Sequence, residues 1–204
     1  MISEIEPWRT AVIEYIRREA LPVDKFGHQP RLYALTREIG EGLTYDDDVV
    51  FAATWLHDLG VFVGHRPEEP VALAAWDNVA YAMERSPALL LEFGFPEAKV
   101  GAVIEAIRTH QAFKEPESLE ATILRDADIL EQLGAVGILR AVSKVGRDTR
   151  FATFSSIVPY LRKALETLRG LLRLESAKGL AVSRVAVLRE FLEGVELEAG
   201  GELD

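Results

Sequence analysis

Cysteine is absent from the 204 residues. Disulfide frameworks, thiolate zinc sites and thiol nucleophiles are therefore excluded together, and any bound metal must be held by nitrogen and oxygen. Long apolar runs are missing as well: no stretch approaches about 18 uncharged apolar residues, so no membrane-spanning helix is expected. Basic residues are the minority charge, 23 against 33 acidic for a net charge of −10, which argues against an unaided grip on duplex nucleic acid. The first residues, Met1 to Ile16, offer neither the basic start nor the uninterrupted apolar core of a secretory signal, so a soluble, cytoplasmic chain without membrane partners is expected. Alternating apolar and polar runs bounded by turn residues are lacking too, which leaves strands without a signal.

What is present is apolar material, 49% of the residues, recurring at three- and four-residue steps. That pattern predicts an all-α chain, a single-domain bundle of about seven to nine helices over 1–197 with a frayed tail over 198–204. The first helix starts from the Ser3 and Glu6 capping pair, buries Ile5, Trp8, Val12, Tyr15 and Ile16, and closes near Ala20 before Pro22. A second opens around His28, with Pro30 in its first turn, and stops near Gly40 or Gly42. A third starts in the Asp46, Asp47 and Asp48 cluster, whose carboxylates suit a helix N-terminus, and runs to Gly60. Being apolar nearly all round, this third helix should be central. Further helices are expected over about 71–84, 87–93, 97–111, 119–145, 155–174 and 183–195, with loops at 64–70 and 114–118.

Histidine is the scarcest informative residue, with four copies. His57 and Asp58 stand together at the end of the most apolar helix, where an unpaired carboxylate would be costly, so Asp58 needs a cation or a set of donors. His28 begins another helix, and the run Asp126-Ala127-Asp128 lies inside a third. Two imidazoles and two carboxylates drawn from three helices suit a divalent metal with open positions, and bundle cores are a common place for such sites. Periodicity alone leaves the closing carboxylate open: Asp126 shares a face with Ile123, Leu130 and Leu133, and Asp128 with Ala121, Leu124 and Ala135. Arg31 lies one turn after His28 and shares its face, while Lys25, Arg66 and Arg125 read as surface charges. His110 follows Val103 and Ile107 inward, and His65 sits in the loop past the doublet.

The ordered set Gly27-His28-Gln29-Pro30-Arg31-Leu32, Ala53-Thr54-Trp55-Leu56-His57-Asp58-Leu59-Gly60 and Arg125-Asp126-Ala127-Asp128-Ile129-Leu130 resembles the HD-domain superfamily of metal-dependent phosphohydrolases. The stretch from Asp126 through Gly134-Ala135 and Gly137-Ile138 to Arg140 is similar to the small bacterial branch, as is the ending from Leu180 to Leu192. The chain departs from that branch at Asp24-Lys25-Phe26, where a His-Asp-Trp run is usual. It also lacks, after Asp58, the acidic pair of guanosine-polyphosphate hydrolases, which discounts that substrate. The resemblance implies an HD-type bundle in which His28, His57, Asp58 and Asp128 hold one divalent ion (Mn, Co, Ni, Fe or Mg), with room for a second. It selects Asp128 over Asp126 because the family ligand directly follows the alanine. Asp58 would also orient the attacking water, and Arg31, His110, His65 and Asp126 would face the substrate, a nucleotide or other small phosphorylated metabolite. The alternatives are a non-catalytic metal- and nucleotide-binding sensor of the same fold and, behind it, a di-iron oxygenase.

Overall fold

In the computed structural model, residues 6–146 and 151–199 are described. Among the described residues there are ten α-helices, two short 3-10 turns and no strand beyond one isolated bridge, so the all-α expectation holds. The backbone separates into two compact units, one ending at Arg125 and the other beginning at Asp126. Ser3, Ile5 and residues 200–204 lie outside the described residues.

The first unit contains α1 (Pro7–Glu19), α2 (His28–Ile39), α3 (Asp47–Leu56), α4 (Pro70–Ala74), α5 (Asn78–Glu92) and α6 (Glu97–Thr109). Helix α3 is its centre, packed on α1, α2 and α6, and every residue from Val49 to Leu56 is buried. Burial on all sides is what an apolar helix without a polar face requires. Its start is set by Asp46, whose side chain accepts from the Asp48 N–H at 3.1 Å. Its end comes at Leu56 rather than Gly60: His57 caps it and a 3-10 turn follows over Leu59–Val61.

Two of the expected boundaries that moved did so for clear physical reasons. Pro87 lies inside α5 instead of opening a new helix. Val79, Ala82, Ser86, Leu89 and Leu90 form one buried stripe, and packing of that stripe outweighs the missing N–H. Conversely, the helix expected over 119–145 is two helices, α7 (Leu119–Glu131) and α8 (Gly134–Val142). Gly134 has φ +72°, a left-handed conformation that interrupts the helix despite continuous apolar spacing. This break brings the count to ten.

α7 carries the boundary between the units, and α8, α9 (Ile157–Leu171) and α10 (Glu175–Ala199) complete the second. α10 packs on both α8 and α9. Within this unit Arg140 reaches the Glu131 carboxylate at 3.2 Å, and Arg184 donates to the Leu130 carbonyl at 3.2 Å.

The acidic entry to α3 is neutralised within the first unit. Arg9 meets Asp47 at 2.9 Å and Asp48 at 2.6 Å, Lys99 meets Asp46 at 2.8 Å and Asp48 at 2.7 Å, and Tyr33 donates to Asp47 at 2.8 Å. Burial would raise the Asp48 carboxyl, but hydrogen bonds from Lys99 and Arg9 outweigh it and hold the group below its ordinary range. A carboxylate depressed in this way stabilises the fold above its unfolded value, and that stability is lost as pH falls through the lower folded value. Arg9→Met should therefore lower stability by about 1–3 kcal/mol at neutral pH, on the usual range for charged hydrogen bonds. The variant should also lose part of the wild-type acid dependence, both effects being read from urea midpoints between pH 7 and 3; unchanged midpoints would show that the cluster contributes nothing.

Candidate metal centre

His28 opens α2 directly after the 3-10 turn Val23–Lys25. Its neighbour Gln29 is fully buried and, in the amide orientation that satisfies its surroundings, donates to the carbonyls of Lys25 (2.9 Å) and Phe26 (3.2 Å). The first turn of α2 is thereby tied to the chain that leads into it. His57 is placed by the end of α3: its backbone N–H bonds to Ala53 O at 2.9 Å, and its Nδ1 lies 2.9 Å from Thr54 O. A carbonyl only accepts, so Nδ1 carries a proton there, and the neutral ring would offer its Nε2 lone pair to a metal. The His28 and His57 residues are 6% and 1% exposed, whereas the Asp58 side chain is 21% exposed.

Three donor atoms converge. His28 Nε2 and His57 Nε2 are 3.4 Å apart, and Asp58 Oδ2 lies 3.7 Å from the first and 3.6 Å from the second. Ligand bonds of about 2.1 Å at tetrahedral or octahedral angles put neighbouring donor atoms roughly 3.0–3.5 Å apart, so the triangle is close to the edges of one coordination sphere. Two nitrogens and a carboxylate oxygen suit a divalent ion of borderline hardness. The residues fit a metal.

The remaining candidates fall in different places. His110 caps α6, is buried, and donates from Nδ1 to Ile107 O at 2.6 Å. Its ring packs edge-on against His57, with centroids 4.9 Å apart. Arg31 is exposed on α2, one turn past His28. His65 is held by Glu19, Nε2 to Oε2 at 3.1 Å, and this bond is the main reason the Glu19 carboxyl lies below its usual range. With Tyr15, Arg18, Tyr81 and Arg85, the Glu19–His65 pair lines a cavity of about 590 Å³ that includes none of the three converging residues.

Asp126 and Asp128 belong to the second unit. Asp126 is fully buried, and its carboxylate accepts from the backbone N–H groups of Arg173 (2.9 Å) and Leu174 (2.8 Å) at the entrance to α10. Asp128 is half-buried and accepts from Gln132 Nε2 at 3.2 Å. Arg125, expected at the surface, is instead 1% exposed and donates to the Ala112 carbonyl. Its apolar neighbours Ile123, Leu124 and Ala127 are also buried, so this turn of α7 offers no solvent face to a cation. The Thr54 carbonyl, which fixes the His57 tautomer, carries no side-chain signal and is legible only as the backbone group one turn before a helix-ending histidine.

These features define an HD-superfamily hydrolase fold with a metal-competent His/His/Asp site. The chain belongs to the HD domain family, whose pattern it matches over residues 26–133, more than half its length. It is 26% identical to YpgQ of Bacillus subtilis (strain 168) over 209 residues, covering 98% of this chain and 96% of that protein. A crystal structure of YpgQ in complex with ADP superimposes with a TM-score of 0.70 at 23% identity, covering 95% of this chain and 96% of the other. A predicted HD superfamily hydrolase from an uncultured Thermotogales bacterium superimposes with a TM-score of 0.64 at 25% identity, covering 94% and 93%. Among the described residues, no helix is long and apolar enough to cross a membrane.

Proposed function

We propose that the protein is a divalent-metal-dependent phosphohydrolase acting on a nucleotide or another small phosphorylated metabolite. The observation that carries this reading is the convergence of His28 Nε2, His57 Nε2 and Asp58 Oδ2. Asp128 is assigned as the fourth ligand because it directly follows Ala127 in the family pattern, a sequence argument. When bound, the cation supplies an acidified water and neutralises phosphate charge. His28 and His57 hold the ion through neutral imidazole nitrogens, and Asp58 adds the carboxylate that also orients the water. The ADP bound to YpgQ supports a nucleotide as the substrate class.

Substrate contacts are assigned to Arg31 and His110. Arg31 stands on α2 one turn after the buried His28, at an exposed position, and His110 lies against the His57 ring. His65 and Asp126 are assigned to the substrate as well, from positions held by Glu19 and by the Arg173 and Leu174 N–H groups respectively. Metal analysis followed by a nucleotide hydrolysis panel tests the proposal: phosphate or pyrophosphate should be released at a steady rate, with metal required. Arg31→Met should lower kcat/KM by roughly 10- to 1000-fold with metal content unchanged, the range expected for a lost charged contact. His110→Gln should behave similarly; a fall in its metal content would indicate a second ion. Nucleotide binding without turnover would support a sensor instead.

A further inference from the structure

The turn that carries Asp58 is fastened from outside the ligand set. After Asp58 the chain forms a 3-10 turn in which Val61 N–H bonds to Asp58 O at 3.0 Å and Phe62 N–H to Leu59 O at 3.4 Å. Gly60 is buried in that turn, and its carbonyl accepts from the indole N–H of Trp76 at 2.8 Å. Gly60 also lies hard against the start of α5: a Cβ there would come within 2.5 Å of Asn78 O and 2.6 Å of Asn78 Cα. α5 is itself fixed at this end, since Asp77 accepts from the N–H groups of Val79 and Ala80 at 3.0 and 2.9 Å. The stretch between contributes little packing, as α4 buries no residue and Val71 is exposed.

We infer that Trp76 is a positioning residue for the metal centre, its indole N–H holding the Gly60 carbonyl so that Asp58 is aligned with His28 and His57. This rests on the metal-binding reading above. A ligand's placement is set by the hydrogen bonds of the backbone that carries it as well as by its own; losing a direct partner of a ligand typically costs about 10- to 100-fold in metal affinity, and a contact one step further out falls at the low end. Trp76 is one of three tryptophans in the chain, so its single bond is open to selective removal.

The test is Trp76→Phe, which keeps an aromatic ring and removes the N–H. Manganese affinity, measured by calorimetry, should fall by about 10-fold. As an indicator that a purely structural role would not move, the wild-type indole N–H resonance missing from Trp76→Phe should shift when diamagnetic Mg²⁺ or Zn²⁺ is added, saturating with metal binding. Val71→Ser, in the exposed α4, should leave the affinity unchanged and serves as the control. Equal manganese affinity in wild type and Trp76→Phe, or an indole resonance indifferent to metal, would overturn the inference. Absence of metal binding in the wild type would instead remove the metal-centre reading. If Trp76→Phe folds poorly, the resonance shift in the wild type still decides.

Discussion

His57→Ala and Asp58→Ala should each abolish stoichiometric metal binding. The three donor atoms form a triangle with edges of 3.4, 3.7 and 3.6 Å, so removing either residue leaves one edge in place of a face. An ion held by two remaining donors from this triangle exchanges with buffer, because affinity at such sites depends on the full ligand count. Folding should largely survive, since the apolar surface of α3 is untouched. His57→Ala leaves the Thr54 carbonyl without its imidazole donor, a penalty of about 1–3 kcal/mol in a buried setting. Elemental analysis after gel filtration, beside a thermal melt by circular dichroism, separates the two effects. One metal per chain retained in either variant would refute the assignment of these ligands.

The second large effect divides the two aspartates of α7. Asp126→Ala should destabilise the second unit by roughly 3 kcal/mol, because two backbone N–H groups at the entrance to α10 lose a charged acceptor together. The distances of 2.9 and 2.8 Å from Arg173 and Leu174 are those of charge-assisted bonds, and the carboxylate has no solvent to fall back on. Metal content should persist, and Asp126→Asn, which keeps an acceptor oxygen, should be milder. Asp128→Asn should do the opposite, losing metal at little cost in stability, as expected of a half-buried residue whose present contact is to Gln132. Urea unfolding and metal analysis on the same preparations read both quantities. The reverse pattern would move the ligand to Asp126.

Much of this was legible in the sequence because it rests on periodicity and on short-range rules. The all-apolar run from Val49 to Leu56 had to be central, and the aspartates before it had to be its N-terminus. His28 and the His57-Asp58 doublet were marked by scarcity and by the cost of burying a charge. What the sequence did not show depends on long-range packing or on backbone groups. Pro87 reads as a break until the stripe it interrupts is seen to be buried on one face. The α7–α8 interruption hangs on the left-handed Gly134, which spacing of apolar residues does not register. Arg125 reads as surface charge because its acceptor, the Ala112 carbonyl, leaves no trace in side-chain identity. The Glu19–His65 pair joins residues 46 positions apart, a separation over which local patterns carry no information.

The burial of α3 has a kinetic consequence for the site at its end. Amides protected by a helix with no solvent face exchange hydrogen mainly through global opening of the unit, whereas exposed turns exchange through local fluctuations. His57 belongs to the first kind of backbone, and the turn beyond Asp58 is covered as well, with Leu59, Gly60 and Phe62 buried. A bound ion would therefore be released to a chelator only as the unit opens, at a rate that should follow hydrogen exchange of the α3 amides. The centre is thus anchored on both sides of the His57-Asp58 doublet.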